Sequence, residues 1–366
     1  MWNKIKTLLL KVPFFVFLVV NLKAVHKRGV HGYVRYFGAT IRRIAQQKAK
    51  SRLYIAADMF IKCLLTTAEF TDYATLQFYR IPLHEARAYL TKGRFMKMQR
   101  YLCSPRVRNL LTEKRLFLAE FHKFAKRDFF FITDNTESNE LADFTNQHRV
   151  FIAKPRSSNQ GQGIERLDSS CFSDIEALLD YLREKNTLLL EELIENHEVL
   201  KKFSDRSLNT VRIIAIRTES GVKVICSYLR FNTVGGITDS NATGGFACPV
   251  ESETGRLFGG LIDFKHSLDF REPIHPSGFP IDGEYIPFWK ETIEMVTNAT
   301  ILLKEAFFVP WDIAVTQEGP VVVEGNVNSG FGWQMISGIP VYEDMKKAYK
   351  FAKKCHAGSR TKSLPN

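Results

Sequence analysis

Ile152-Ala153-Lys154-Pro155-Arg156-Ser157-Ser158-Asn159-Gln160-Gly161-Gln162-Gly163-Ile164 is the stretch on which the reading of this chain turns. Val150 to Lys154 reads as a strand, and a turn-rich loop follows, with Gly161 and Gly163 flanking one residue. A lysine at the end of a strand before a glycine-rich loop suits a triphosphate. The ammonium neutralises phosphate charge, and backbone N–H groups can approach oxygens where glycine has no Cβ. The loop is not a Walker A sequence, because no G-x-x-x-x-G-K-[ST] pattern is present. A Ser/Gly loop after a strand is also an ordinary turn, so the rest of the chain has to decide.

With 366 residues the chain has room for two or three structural units. Hydrophobic content of 45% and charged content of 25% fit a globular protein. The net charge of +12 is not spread evenly. Twelve of the 51 Lys and Arg fall in residues 1–57, where there is no Asp or Glu, leaving 39 to match the 39 acids of the remainder. A nucleic-acid-binding body would carry its basic residues on a working face of the fold, and this body is neutral. The six cysteines are scattered without a C-x-x-C pair, which points to a reduced, cytoplasmic setting and no structural zinc.

The basic segment, residues 1–57, contains the apolar run Val12 to Val20. No small-x-small cleavage site follows it, so it is a poor signal peptide. From Leu8 to Leu22 a helix would rise roughly 22 Å, short of the roughly 30 Å of hydrocarbon. Two readings remain: a peripheral anchor on an anionic membrane surface, formed by residues 1–52 with Trp2, Phe14, Phe15 and Phe17 as a wedge, or a run that packs onto the body.

Residues 58–105 complete a helical N-terminal region; Ile41 to Leu102 has helical spacing for three or four helices. A further helix is expected from Leu110 to Lys126. Short strands then follow at Phe129–Thr133, Val150–Lys154 and Leu188–Leu193, with a helix from Asp174 to Lys185. Leu208–Ile216 and Val222–Phe231 read as a hairpin across Glu219-Ser220-Gly221. Trp289 to Phe307 reads as a helix and His356–Asn366 as a polar tail. Lobes at 106–190 and 191–350 and a tail at 351–366 are the corresponding divisions.

Trp311-Asp312-Ile313-Ala314-Val315 and Pro320-Val321-Val322-Val323-Glu324-Gly325-Asn326 flank a short turn containing Gly319, which makes an antiparallel hairpin. A turn centred on Glu318 sets Asp312 opposite Glu324, with Cβ atoms about 4.5–5.5 Å apart. Strand alternation puts Asn326 on the side of Glu324. Two carboxylates and an amide converging there repel unless a cation lies between them, and oxygen-only donors suit Mg²⁺. The plainer reading is a solvent-facing hairpin; the Gly325–Gly330 loop, able to bring backbone to a ligand, favours metal. Arg212 and Arg230 lie on opposite strands of the preceding hairpin, near enough in register to share a face. Each needs a partner, a phosphate or an ordinary salt bridge. Leu188-Leu189-Leu190-Glu191-Glu192-Leu193-Ile194 ends in acids before Glu198. Such a strand can present backbone to a nucleobase and a carboxylate to a ribose, or simply solvated charge.

The order of these elements, from Lys114 through Lys154–Gly163, Glu191–Ile194, Arg212 and Arg230 to Asp312…Glu324-Gly-Asn326, resembles the ATP-grasp superfamily. The closer resemblance is to the sugar-transfer-associated ATP-grasp family. It shows in Gln77-Phe78-Tyr79-Arg80, Glu113-Lys114-Arg115-Leu116-Phe117, Ala125-Lys126-Arg127-Asp128 and Ser207-Leu208-Asn209-Thr210-Val211-Arg212. Gly244-Gly245, Thr254-Gly255-Arg256-Leu257 and Ile286-Pro287-Phe288-Trp289 carry it further, over roughly residues 70–345. Glu113 stands where the family more often has Asp.

The resemblance implies an α/β (α+β) fold of two lobes gripping nucleotide between antiparallel sheets, preceded by a helical N-terminal region. It implies that Lys114 and Lys154 touch ATP phosphates under the loop Ser157, Gln160, Gly161, Gln162, Gly163 and Ile164. Glu191, Glu192, Leu193 and Ile194 would line adenine, and Glu198 would face the ribose. Asp312, Glu324 and Asn326 would hold Mg²⁺, with Arg212 and Arg230 catalytic at the transferred phosphate. The activity implied is ATP-dependent carboxylate–amine ligation through an acyl phosphate, on a cell-surface saccharide precursor. A kinase acting on a hydroxyl and a non-catalytic membrane scaffold are the alternatives. His275, before Pro276, reads as a structural turn residue.

Overall fold

The computed structural model describes residues 12–156, 163–204, 207–232, 245–263, 271–327 and 330–361. It opens with three helices, α1 (Pro13–Arg28), α2 (Val30–Lys48) and α3 (Arg52–Thr66). Gly29, at φ 70°, breaks α1 from α2. Ser51 caps α3 by accepting from the Tyr54 N–H at 3.1 Å. Short helices α4 (Phe70–Thr75) and α5 (Leu83–Ala86) and the longer α6 (Lys92–Leu102) follow. Phe17, Ile44, Met59, Tyr73 and Phe78 share one core across these elements. The basic segment and the helical region after it are thus packed together, with α3 running across the boundary expected at residue 57.

The apolar run of α1 packs on the body through Val16, Phe17 and Val20. Asn21 fixes it there, donating to Ala68 O at 3.2 Å and accepting from the Tyr33 hydroxyl at 2.9 Å. A Cβ on Gly93 would collide with Thr67 O and Val16 Cγ1, so this glycine lets α6 close onto α1. The expected wedge is therefore corrected at Phe17, which is buried; Phe14 and Phe15 lie on the exposed side, and Trp2 is outside the described residues. Among the described residues no helix is long and apolar enough to cross a membrane.

Asp72 sits in a capping box with Glu69 at the start of α4, its Oδ2 accepting from the Glu69 and Lys92 N–H groups at 3.0 Å each. Burial lifts its pKa from 3.8 to about 6. A raised folded-state pKa means the stabilisation is complete below about 3.8 and is lost as pH rises through about 6. Asp72→Asn keeps an acceptor and removes the buried charge. It is expected to flatten the stability profile between pH 4 and 6 and to gain roughly 1–3 kcal/mol at pH 7 in chemical unfolding. An unchanged pH profile in the variant would refute this.

Next come α7 (Pro105–Thr112) and α8 (Lys114–Ala125), where one helix was expected. Glu113 separates them, extended at φ −88°, ψ 111°, and its carboxylate accepts from the Arg115 N–H. A four-stranded antiparallel sheet follows, made of β1 (Phe129–Phe131), β2 (Val150–Pro155), β3 (Glu165–Asp168) and β4 (Thr187–Glu192) in the order β1-β4-β2-β3. Helices α9 (Ser138–Gln147) and α10 (Ile175–Glu184) cover one face, with Leu141, Phe151, Leu178 and Leu190 in the core. The lobe boundary expected at residue 190 falls inside β4.

After the short α11 (Glu198–Lys201) comes a seven-stranded antiparallel sheet: β5 (Thr210–Thr218), β6 (Gly221–Phe231), β7 (Phe246–Pro249), β8 (Leu261–Asp263), β9 (Arg271–Glu272), β10 (Phe308–Thr316) and β11 (Gly319–Gly325). The order is β11-β10-β5-β6-β7-β8-β9. Helix α12 (Trp289–Leu302) packs Val296 and Ala299 into a core with Ile213, Trp311 and Ile313. The opposite face, with Ile214, Ile216 and Phe308, is covered by α6 and by α14 (Tyr342–Thr361), which follows the short α13 (Trp333–Ser337). Buried on both faces, β10 reads as a continuous apolar run. Phe308 to Pro310 accordingly belong to the strand, and α12 stops at Leu302 rather than Phe307. The stretch read as a polar tail is helical to Thr361, held by His356 Nε2 on Tyr101 O at 3.2 Å.

Candidate active site

In the hairpin β10–β11 Thr316 pairs with Gly319, a turn one residue tighter than the one expected around Glu318, and this register alone would set Asp312 opposite Val323. A bulge between Asp312 and Ile313 displaces the pairing by one residue at Val323, which leaves Asp312 and Glu324 side by side at the strand ends. Asn326 Nδ2 lies 3.2 Å from Glu324 Oε1 and 3.5 Å from Asp312 Oδ2. Arg212, directly across from Asp312 on β5, clasps that carboxylate through Nε and through Nη2 at 2.8 Å. Arg230 reaches the same carboxylate at 3.1 Å and donates to Thr210 Oγ1 at 2.8 Å. The two arginines do share a face, and the partner of both is Asp312.

This decides how the carboxylates divide their work. Burial alone would raise the Asp312 pKa, but Arg212 and Arg230 overcome it and hold it at about 2. Glu324 goes the other way, to about 7, raised by the protein mass around it and then by Asp312. Its side chain still meets solvent, so water in the cleft tempers that rise. The donor set fits a divalent cation. Glu324 and Asn326 face the cleft directly, the Asn326 amide presents oxygen when turned over, and the oxygens of Asp312 are already shared with two guanidiniums.

The four-stranded sheet carries a second buried charge cluster. Glu191, 4% exposed, binds Lys154 Nζ through Oε2 and Arg127 through Oε1, at 3.0 Å from Nε and 2.8 Å from Nη2. Burial would raise its pKa, yet Lys154 and Arg127 hold it at about 2. Arg127 also donates to Val322 O at 2.7 Å and to Val323 O at 3.1 Å, which ties the small sheet to β11 beside Glu324. Lys114, the first residue of α8, donates to Pro155 O at 3.1 Å. Its pKa is lowered by burial and then by the like charge of Lys154, with Glu191 and Glu324 acting in the opposite sense. Lys114, Lys154, Glu191 and Glu324 therefore share one electrostatic neighbourhood.

Other expected residues are placed less centrally. Ser157, Gln160, Gly161 and Gln162 lie outside the described residues; Gly163 has φ +74°, and Ile164 is half-buried ahead of β3. Glu192 is held at the strand edge, accepting from the Asp128 N–H at 2.9 Å, and Leu193 and Ile194 continue half-buried. Glu198 is exposed on α11 and takes a proton donor from Lys201 at 2.8 Å. His275 is buried, with Nδ1 accepting from Ser277 N–H and Nε2 donating to Phe203 O at 3.0 Å, and is structural. Two contributors had no assigned role in the sequence. Arg127 is one; the other is Asn196, whose Oδ1 accepts from the Asn209 N–H at 2.8 Å and so anchors the start of the strand carrying Arg212.

A four-stranded and a seven-stranded antiparallel sheet, with Lys114 and Lys154 brought near Glu191 and Glu324, are the arrangement of an ATP-grasp fold. Residues 102–349 match the model of the family described as "Sugar-transfer associated ATP-grasp", and the chain belongs to that family. Distant likeness extends to solved structures. The ATP-grasp ligase PsnB complexed with minimal precursor, Mg and ADP is 14% identical, with 75% of this chain and 72% of that chain covered and a TM-score of 0.41. The D-alanine-D-alanine ligase from Coxiella burnetii is 10% identical over 69% of this chain and 60% of its own, with a TM-score of 0.42. An L-amino acid ligase from Bacillus licheniformis is 14% identical over 74% and 52%, with a TM-score of 0.36. No curated protein matches the chain.

Proposed function

We propose that this protein is an ATP- and Mg²⁺-dependent ligase that joins a carboxylate to an amine through an acyl phosphate, on a cell-surface saccharide precursor. The observation that carries this reading is the convergence of Lys114 and Lys154 with Glu324 and Asn326, and with Arg212 and Arg230, in one cleft. Lys114 and Lys154 neutralise nucleotide phosphate, and Glu191 with Arg127 keeps Lys154 from swinging into solvent. Arg212 and Arg230 stand where charge develops on a phosphoryl group passing to the substrate carboxylate. The amine then attacks the acyl phosphate and expels phosphate. Glu324 and Asn326, with Asp312 behind them, would hold Mg²⁺, which would supply further neutralisation of phosphate charge. Little covalent chemistry is asked of the protein, in keeping with a site built of cations and oxygen donors. The saccharide rests on the family's name, and the cytoplasmic side is where ATP is available.

Hydroxylamine trapping tests the reaction class. With ATP, Mg²⁺ and a panel of uronic and amino acids, the expected product is a hydroxamate, accompanied by ADP. Phosphorylated product without hydroxamate would transfer the assignment to a kinase acting on a hydroxyl. In calorimetry with a non-hydrolysable ATP analogue and Mg²⁺, Lys154→Ala is expected to weaken binding at least about tenfold, the loss of one charge-assisted phosphate contact. Undiminished binding would remove Lys154 from the nucleotide site.

A further inference from the structure

The N-terminal helices are apolar on two sides, and the body uses only one. Opposite the buried Val16, Phe17 and Val20 of α1, Phe14, Leu18 and Leu22 stand 50%, 38% and 56% exposed. Their four-residue spacing sets them in one stripe along the helix. On α3, Leu53 is 81% and Phe60 48% exposed, and the Phe60 ring packs edge-on against the buried Phe17 at 5.6 Å, so Phe60 stands where α3 meets α1 with part of its ring still open to solvent. Thirteen of the twenty-one large apolar side chains that stand exposed among the described residues belong to residues 12–65. Such a concentration on one part of a surface marks a contact face.

Charge identifies what it contacts. Residues 12–57 carry nine Lys and Arg, all exposed, and no acid. The first acid of the chain, Asp58, is neutralised by Lys62 at 2.9 Å. A second copy of this chain docking through the same face would set this uncompensated positive charge against itself. A surface that is apolar beneath and negative at its edge has the opposite, complementary character.

We propose that the outer face of α1–α3 docks, without crossing, onto an anionic phospholipid bilayer. Phe14, Leu18, Leu22, Leu53 and Phe60 enter the boundary between headgroups and acyl chains, and the surrounding basic residues meet lipid phosphates. Apolar insertion and polybasic attraction together supply the two signals that stable surface binding requires. The proposal is independent of the reaction the cleft performs.

Vesicle flotation of the full chain tests it. Wild-type protein is expected to float with phosphatidylcholine vesicles containing about one-third phosphatidylglycerol, and not with phosphatidylcholine alone. Raised salt is expected to weaken the association. The Phe14→Asp/Leu18→Asp variant, at exposed positions, is expected to lose at least tenfold in vesicle partitioning with an unchanged thermal unfolding midpoint. Arg42→Glu/Arg43→Glu is expected to lose severalfold. The proposal is overturned if folded wild-type protein ignores anionic vesicles, or if the double Asp variant floats equally well. It is equally overturned if the wild type sediments as a dimer that the Asp variant splits while vesicles bind neither, which would give the face to a second copy.

Discussion

Glu191→Ala is expected to lower stability by about 3–5 kcal/mol in chemical unfolding, the cost of stranding buried charge. The substitution leaves Arg127 and Lys154, whose side chains are 3% and 19% exposed, without the carboxylate between them. Arg127 keeps its bonds to Val322 O and Val323 O, but these accept without neutralising. Glu191→Gln retains an acceptor and is expected to cost about half as much. The pH dependence has a definite sign. A folded pKa of about 2, below the ordinary 4.5, gives stabilisation that is present above pH 4.5 and is lost as pH falls through about 2. A Glu191→Ala protein within about 0.5 kcal/mol of wild type would show that the cluster is dispensable.

The second large effect is on turnover. Glu324→Gln is expected to reduce nucleotide-dependent activity by about 10²–10³-fold, the scale for removing one element of transition-state charge stabilisation. Structure should survive, because glutamine can still accept from Asn326 and the side chain is solvent-accessible. The thermal midpoint at neutral pH is expected to hold or rise, since the carboxylate sits beside Asp312 at a disadvantage that the amide does not share. Activity loss with preserved stability separates a ligand role from a scaffolding one. Equal activity at saturating Mg²⁺ would remove Glu324 from the reaction.

How much of this was legible in the sequence depended on the range of the interaction. A turn centred on Glu318 places Asp312 beside Glu324 and Asn326 from local alternation; the actual turn is one residue tighter and the bulge at Asp312 restores that pair, so the proximity was legible and the register behind it was not. The common face of Arg212 and Arg230 followed from one hairpin in the same way. Arg127 was opaque, because Lys126-Arg127-Asp128 looks like solvated charge, while its partners lie 64 residues away at Glu191 and 195 away at Val322. The division between Asp312 and Glu324 was hidden for a related reason: it is made by guanidiniums that a third and a fourth strand bring in. At the N-terminus the apolar run offered packing or anchoring as alternatives. Helical periodicity over a run apolar all round does not say which side is covered, and α1 has one side of each kind. The Glu113 break and the early end of α12 were missed because a single capping residue, or a strand buried on both faces, outweighs local propensity.

The pairing of β5 with β10 also governs how the protein is made. Arg212 and Asp312 are 100 residues apart in the chain. At the pace of translation, roughly 5–20 residues per second, several seconds separate the synthesis of β5 from that of the strand that closes its open side. Throughout that interval β5 has β6 on one side only, and its other edge offers unpaired backbone with Val211, Ile213 and Ala215 alongside. A nascent chain at that stage is a sticky sheet edge, and the non-local pairing it awaits is slow to form. From the strand order, a fragment ending before residue 308 is expected to be poorly soluble, which expression of residues 12–307 beside the full chain checks.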